Sequence, residues 1–251
     1  MIQTPATAGI VALCIGVYLW LAHKNLGYES VGISYRSFTS GEYWRSLTAS
    51  LSHIDLLQLV FNMSSLWSLR FLEHQYGPLW YLRLSFLLLI GSIAAFMGLY
   101  WFLIAKLRMN DYANVISLGY SCVVFGVMTV AHQLTSTKSF NLFGLQIPLS
   151  LMPFGSLLLT QIIVPRASFV GHLSGIIIGY LYSFGLFRWF DYGFFVFALF
   201  WYVIMILYSV KLHSPLSLPW IRCGTEEQLR DIRIEGGVIL PPARTPPRID
   251  M

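Results

Sequence analysis

Seven apolar stretches, each long enough to cross a lipid bilayer as a helix, recur along the first 210 residues of this chain. A spanning helix needs about 20 mostly apolar residues. Lipid offers the backbone no hydrogen bonds, and a helix satisfies its backbone groups within one segment. Charged residues make up 11% of the 251 residues, against about 25% in soluble domains. We therefore predict an all-α polytopic membrane protein, with spans at residues 5–23, 55–72, 79–104, 117–134, 148–165, 169–187 and 191–210.

The separation between the last two spans is the weakest. Only Arg188, Trp189 and Asp191 interrupt it, so a six-span protein with residues 191–210 lying at the membrane surface is the alternative. The first apolar run is predicted to be an uncleaved span rather than a signal peptide. The residues before it carry no positive charge, and no small-x-small cleavage site precedes His23.

The chain divides into two regions of contrasting composition. Residues 1–210 form the predicted transmembrane domain. Its longest connection, from His23 to His53, is aromatic and semi-apolar, which is typical of a structured loop half-sunk in the membrane surface. Residues 211–251 are polar and Pro-rich, and we predict that this tail is mostly disordered. The tail is a candidate segment for binding an unidentified protein.

Several classes of function are excluded by composition. The formal net charge is +5, but the basic residues lie singly between apolar segments, so we predict no nucleic-acid binding. They fit anchors at the surface of the lipid bilayer and signals of topology. The three cysteines, Cys14, Cys122 and Cys223, form no CxxC motif and no cluster with metal-ligand spacing. We predict no metal site and no cofactor.

Two polar residues stand out inside the predicted spans. Ser121 follows Gly119 near the start of the fourth span. His172 lies in the sixth span beside glycines that recur every fourth residue, Gly171, Gly175 and Gly179. Polar side chains are costly in lipid and commonly mark a functional site, and small residues let a serine approach its histidine base. Ordinary helix packing explains each motif alone, but together they predict a nucleophile and a general base.

A further polar group lies on the second span. Gln58, Asn62 and Ser65 are spaced so that they share one face of a helix, and His53 precedes them. Amide N–H groups on this face could stabilise a developing oxyanion, an effect worth roughly 3–4 kcal/mol for each donor. For any one of these residues, hydrogen bonding between helices is the plainer explanation.

In combination, these residues resemble the rhomboid family of intramembrane serine proteases. The chain also carries Trp44-Arg45 in its first loop, the pattern His53-x4-Gln58-x3-Asn62-Met63, and Leu72-Glu73 followed by Tyr76-Gly77. The match covers most of residues 5–187 in the order of the family. The resemblance implies a six-helix rhomboid core, to which residues 191–210 add a seventh C-terminal transmembrane helix.

The resemblance also implies a role for each site residue. Ser121 would be the nucleophile and His172 the general base of a dyad that has no acidic third member. Phe125 falls where the family has an aromatic ring packed against the histidine. The oxyanion hole and its support would come from the Ser121 backbone N–H, Asn62, Gln58, His53 and Gly119, and the structural positions would be Trp44, Arg45, Gly171, Gly175 and Gly179. The implied substrates are single-span membrane proteins, cut in helix-destabilised segments.

Two positions depart from the family pattern and leave an alternative open. Gln58 stands where most members have histidine, and its amide still offers a donor. Cys122 stands where most members have the glycine after the serine, and its side chain would crowd the nucleophile. The alternative is a catalytically inactive rhomboid-like protein that binds transmembrane clients for quality control, as derlins do. A transporter or receptor has no support beyond the span count, because no buried carboxylate or cation pair marks an ion path.

The sequence predicts an integral, multi-pass membrane protein, and the run Phe61-Asn62-Met63 resembles eukaryotic members. From that likeness we expect an endomembrane location, in the endoplasmic reticulum or the Golgi. The family orientation places the active site on the lumenal or exterior side, and seven spans would place the tail there too. The distribution of basic residues favours the reverse orientation, and six spans would return the tail to the cytosol.

Overall fold

The computed structural model describes residues 3–135, 139–142, 145–164, 167–213, 234–235 and 238–239. Within them the chain forms eleven α-helices: α1 (Pro5–Lys24), α2 (Tyr28–Val31), α3 (Tyr35–Thr39), α4 (Arg45–Leu51), α5 (Leu56–Ser68), α6 (Phe71–Tyr76), α7 (Pro78–Ala105), α8 (Ser121–Leu134), α9 (Met152–Ile163), α10 (Phe169–Ser183) and α11 (Tyr192–His213). Two short 3₁₀ helices cover Asn110–Asn114 and Leu149–Leu151. Two antiparallel strand pairs join β1 (Ser139–Leu142) to β2 (Leu145–Pro148), and β3 (Ile234–Glu235) to β4 (Val238–Ile239).

The helices agree with the predicted spans. Among the described residues, α1, α7 and α11 are long and apolar enough to cross a membrane by length and composition, and α8, α9 and α10 are shorter apolar helices. The prediction of an all-α polytopic membrane protein with a seventh C-terminal helix is confirmed. The helices α2, α3 and α4 lie in the first connection, residues 25–55, which we call loop 1.

Several span boundaries differ from those predicted by up to four residues, and two of the differences have a clear structural cause. The span at 55–72 is divided, because α5 ends at Ser68 and α6 begins at Phe71, and the break turns Leu72 into the interior, where it is fully buried. The span at 117–134 begins later, at Ser121. The residues before Ser121 are held as extended backbone against loop 1, and this pairing replaces the first helical turn.

Glu73 is a buried carboxylate on α6, so the expectation that the chain lacks one is wrong. Its two oxygens accept the N–H groups of Ala6 and Thr7 and the Thr7 hydroxyl, each at 2.7 Å. These N–H groups belong to the first turn of α1, which lacks helical partners and lies at the positive end of the helix dipole. Glu73 therefore caps α1, a structural role that needs no ion path.

The centre of the bundle is formed by α7, α8 and α10. Leu88, Val127 and Ile176, one from each helix, are fully buried. A Cβ atom added at Gly126 would lie 2.8 Å from the Leu88 side chain and 3.2 Å from the Gly175 carbonyl oxygen. The absence of side chains at this crossing therefore lets α8 and α10 pack backbone against backbone.

The seventh helix, α11, runs along the bundle from one end to the other. Near its start, the Arg83 guanidinium of α7 lies 4.5 Å from the centre of the Tyr192 ring. Farther along, the Tyr202 hydroxyl lies 2.9 Å from the Ser46 hydroxyl of loop 1. Near its end, the Ser209 hydroxyl donates to the Gly41 carbonyl, also in loop 1, at 2.7 Å. This course fits a spanning helix rather than one lying at the surface, and α11 ends on the side of loop 1.

The tail prediction concerns residues 211–251. Of these, the structure describes residues 211–213, which end α11, and the short pairing of β3 with β4. The rest of the tail lies outside the described residues, so its predicted disorder stays a prediction.

Candidate active site

Ser121 is the first residue of α8, and loop 1 fixes the segment before it. Ile33 and Ser117 form an antiparallel bridge with N–H···O distances of 2.9 and 2.8 Å. The Gly119 N–H donates to the Ala49 carbonyl of α4 at 2.7 Å. Three backbone hydrogen bonds therefore position the start of α8.

Gly119 occupies a position where a side chain would strain the backbone and would also collide with Gln58. Its φ of +114° is a backbone conformation that L-residues with a side chain rarely adopt. A Cβ atom would also lie 2.8 Å from Nε2 of Gln58, which donates to the Leu118 carbonyl at 3.1 Å. Gly119 therefore makes room for the Gln58 amide beside the segment that leads to Ser121.

Trp44 and Arg45 organise loop 1. The Arg45 guanidinium donates to the carbonyls of Glu29 and Gly32 at 2.8 and 3.0 Å, and it pairs with Glu42. Its Cζ lies 4.6 Å from the centre of the Trp44 ring. Because Gly32 directly precedes the residue that bridges to the segment before α8, these contacts hold the part of loop 1 that positions the serine.

His172 lies in the first turn of α10 and is 4% exposed. The Ser168 hydroxyl caps this helix by accepting the Gly171 N–H at 3.1 Å. The imidazole stacks on the Phe125 ring, with 4.4 Å between ring centres and 22° between planes. Phe125 follows Ser121 by one turn of α8, so the stacking holds the histidine against the helix that carries the serine.

One cavity of about 220 Å³ brings the predicted dyad together with Phe125 and the Gln58 and Asn62 amides. It lies between α5, α8, α9 and α10, and its lining includes Ser121, His172, Phe125, Gln58, Asn62 and Ser65. Within the described part of the chain, no hydrogen bond joins Ser121 to His172. The structure therefore places both side chains at one cavity without a hydrogen bond between them. Catalytic hydrogen bonds are often long or poorly aligned without substrate.

The two amides at this cavity are partly engaged. Nδ2 of Asn62 donates to the Gln58 carbonyl at 2.9 Å, and Nε2 of Gln58 donates to the Leu118 carbonyl. An amide nitrogen carries two N–H groups. Each side chain therefore keeps one further N–H group that these two bonds do not use.

His53 lies behind the cavity, before the start of α5. It is fully buried, and its Nε2 accepts the Tyr120 N–H at 3.4 Å. Burial lowers the pKa of His53 to about 4, because the charged ring loses its hydration. The ring is therefore neutral near pH 7, as an acceptor must be, and it supports the segment that ends at Ser121.

A model of the rhomboid domain matches residues 40–189 of the chain, a range that includes every site residue described above. The chain belongs to the rhomboid family. Rhomboid-like protein 15 of Arabidopsis thaliana is 29% identical over 195 residues, which cover 72% of this chain and 47% of that protein. Rhomboid-like protein 14, mitochondrial, of the same plant is 30% identical over 191 residues, with coverages of 72% and 55%.

A third relative, Rhomboid-type serine protease B of Aspergillus fumigatus, is 28% identical over 193 residues, which cover 74% of this rhomboid and 68% of the fungal protein. The chain spans about half the length of the two plant relatives. The family match thus covers residues 40–189, and the activities of the longer proteins are a separate question.

Cys122, which departs from the rhomboid pattern, follows the serine at the start of α8. It is half-buried, packs against the hydrophobic core and lines a separate cavity of about 50 Å³ together with Ser92 and Ser121. The cavity that holds His172 is not lined by Cys122. The crowding expected beside Ser121 therefore falls in the smaller cavity rather than in the larger one.

The glycines of this rhomboid differ in what they contact. A Cβ atom at Gly175 would overlap the Cys122 carbonyl, and one at Gly179 would lie 2.7 Å from Cβ of Thr129. A Cβ atom at Gly171 would instead meet only its own helix cap, Ser168. Sequence reasoning missed Gly126, the facing glycine on α8, although a lone glycine inside an apolar span is a usable signal of close packing.

Proposed function

We propose that this rhomboid is an intramembrane serine endopeptidase that cleaves transmembrane segments with the pair Ser121 and His172. The observation that carries the proposal is the single cavity lined by both side chains and by the Asn62 amide. A nucleophile, a base and an oxyanion donor facing one space are the parts that acyl transfer requires.

The proposed reaction has two stages. His172 accepts the proton of the Ser121 hydroxyl while Oγ attacks the scissile carbonyl, and it then delivers that proton to the leaving amine. Water hydrolyses the resulting ester with the same histidine as base. The negative oxygen of each tetrahedral intermediate would be stabilised by the Ser121 N–H and by Asn62. The Ser121 N–H belongs to the first residue of α8, where the helix dipole favours negative charge, and Asn62 reaches the cavity from α5.

The proposed substrates are single-span membrane proteins with helix-destabilised segments. A regular helix hides its carbonyls in hydrogen bonds, so a protease needs a stretch that opens. The α9 helix supplies one wall of the cavity through Leu159 and Thr160. Its neighbours Leu158 and Ile162 are 62% and 76% exposed, which is expected of a helix that faces lipid. This geometry supports entry of the substrate from the bilayer, beside α9.

The test is cleavage of single-span model substrates containing Gly-Pro breaks by the purified protein in liposomes. We expect Ser121→Ala and His172→Ala each to abolish cleavage. Two matched controls should cleave like the wild type. Ser174→Ala removes a buried hydroxyl that bonds only its own helix, at Val170, and His132→Ala removes a histidine that contacts the Met128 carbonyl.

A second measurement separates an inactive protein from an unsuitable substrate. A fluorophosphonate probe should label the wild type but not Ser121→Ala. Absence of both cleavage and labelling in the folded wild type would favour the alternative, a client-binding pseudoprotease. The observation in its favour is the partial engagement of the Gln58 amide by Leu118, where most members carry a histidine.

The proposed location is a eukaryotic endomembrane, in the endoplasmic reticulum or the Golgi. It is supported by the likeness to eukaryotic relatives, although one of them is named as mitochondrial. Because α11 ends beside loop 1, a spanning α11 would put the tail on the side of the active site, where it could bind its unidentified partner. Fluorescence microscopy of the tagged chain against organelle markers tests the compartment, and protease protection of a C-terminal tag tests the side.

A further inference from the structure

A polar cavity lies at the end of the bundle opposite loop 1. Its volume is about 290 Å³, and it lies where α7 and α11 begin and α10 ends. Its polar lining consists of Arg83, Tyr182, Ser183 and Arg188. It shares no lining residue with the cavity at Ser121, so the catalytic proposal leaves it unused.

Two arginines bring positive charge to this cavity. Among the described residues, neither Arg83 nor Arg188 forms an ion pair. The acidic residue nearest in sequence, Asp191, instead accepts the Phe194 N–H at 2.8 Å and so caps α11. Two guanidinium groups that face one space repel each other unless an anion lies between them.

Contacts with neighbouring residues hold both guanidinium groups at the cavity, where Arg83 is half-buried and Arg188 is exposed. Arg83 stacks on the Tyr192 ring at 4.5 Å and interacts with the Tyr182 hydroxyl. The Arg188 side chain folds back over Gly185, and a Cβ atom added at Gly185 would lie 2.6 Å from Nε of Arg188. Gly185 has a φ of +82°, so a glycine is needed there both for the turn and for the arginine.

The depth of the cavity fits the headgroup layer of a bilayer. Arg83 comes five residues after Pro78, the first residue of α7, or about 7.5 Å along the helix axis. Aromatic rings surround the site, as they do at membrane surfaces. Trp80 packs edge to face on Tyr182 with 6.4 Å between ring centres.

We propose that this cavity binds the phosphate group of an anionic phospholipid. Planar guanidinium groups bind phosphate oxygens in pairs, and basic pockets between transmembrane helices bind anionic headgroups. A free phosphate ion offers the same chemistry. The lipid is favoured because Phe187 and Phe190 also line the cavity and would contact the glycerol and acyl region. The proposal does not depend on catalysis by Ser121.

The test measures thermal unfolding of the full-length protein in detergent by tryptophan fluorescence. The probes are dioctanoyl-phosphatidylglycerol, dioctanoyl-phosphatidylcholine and inorganic phosphate. The variants are Arg83→Gln and Arg188→Gln. The matched control is Arg70→Gln, which removes the same charge at the same end of the bundle from an exposed arginine stacked on Trp67 at 4.8 Å.

We expect phosphatidylglycerol, but not phosphatidylcholine, to raise the Tm of the wild type in a saturable way. Each cavity variant should need about tenfold more phosphatidylglycerol for half of the effect, because one charge-assisted contact is lost. Arg70→Gln should titrate like the wild type. If inorganic phosphate reproduces the shift and the cavity variants lose it, the phosphate site stands and its source is soluble.

Two results would overturn the proposal. One is a wild type whose Tm does not distinguish phosphatidylglycerol from phosphatidylcholine. The other is an Arg188→Gln variant whose titration matches the wild type. If Arg83→Gln fails to fold, Arg188→Gln still tests the proposal, because Arg188 lies in the turn after α10. Arg188→Lys, which keeps the charge, should recover part of the affinity that Arg188→Gln loses.

Discussion

Replacing Gly175 by alanine tests whether the crossing of α8 and α10 determines the geometry of the site. The added methyl group would overlap the Cys122 carbonyl oxygen and lie 2.8 Å from its carbonyl carbon and 3.2 Å from its Cα. All three atoms belong to backbone one residue after the serine, so no side-chain rotation relieves the contact. The two helices must separate, and Ser121 must move away from His172.

The size of the effect follows from the required displacement. Restoring ordinary carbon–oxygen contact requires a shift of about 1 Å between the helices. Overpacking of this kind costs about 1–3 kcal/mol, and a misplacement of about 1 Å at reacting atoms can lower a rate about 100-fold. We therefore expect Gly175→Ala to lower the free energy of unfolding by about 1–3 kcal/mol and kcat/KM by about 100-fold.

The assay compares two glycine-to-alanine variants. Unfolding is followed by tryptophan fluorescence during titration with dodecyl sulfate in mixed micelles, and turnover by cleavage of a model substrate in liposomes. The control is Gly98→Ala in α7, where an added Cβ meets nothing within 4 Å, and it should match the wild type or exceed its stability. The reasoning is refuted if Gly175→Ala equals Gly98→Ala in both measurements. The stability comparison holds even for a protein without activity.

Two further predictions concern groups that support the site and the bundle. Glu73→Gln keeps the size of the side chain but removes the charge that caps α1. We expect it to lower the free energy of unfolding by about 2 kcal/mol. An equal loss in the exposed control Glu29→Gln would contradict this expectation. For His53, burial lowers the pKa from 6.5 to about 4, so the unfolded chain binds a proton that the folded chain excludes. The stability contributed by the neutral ring is complete above about pH 6.5 and is lost as the pH falls towards 4. The free energy of unfolding of His53→Gln, measured across this range, should therefore depend less on pH than that of the wild type.

The spans could be predicted because hydropathy alone determines which segments enter lipid. The approach of the serine helix to the histidine helix was also predictable, since glycines every fourth residue mark a contact face. In the structure Gly175 and Gly179 lie against α8, while Gly171 faces its own cap at Ser168. A periodic pattern identifies a face of a helix, but it does not determine which of its members touches the neighbour.

Long-range polar contacts could not be predicted from the sequence. Glu73 binds the start of α1 at sequence separations of 67 and 66 residues, and no local pattern reports such a pairing. The sequence predicts that the Gln58 amide faces an oxyanion. It does not reveal that one of the two N–H groups of this amide is bonded to the Leu118 carbonyl. Arg83 and Arg188 read as surface anchors in the sequence, because their shared cavity exists only after three helix ends meet.

The lengths of the helices explain why loop 1 carries so much of the structure. At 1.5 Å per residue, the 28 residues of α7 extend about 42 Å, whereas the 14 residues of α8 extend about 21 Å, less than the roughly 30 Å of a hydrocarbon core. At least one end of α8 must therefore stop short of the membrane surface that α7 reaches. At the serine end, the bonds from Ile33 and Ala49 to the segment before Ser121 place loop 1 directly against the end of this short helix.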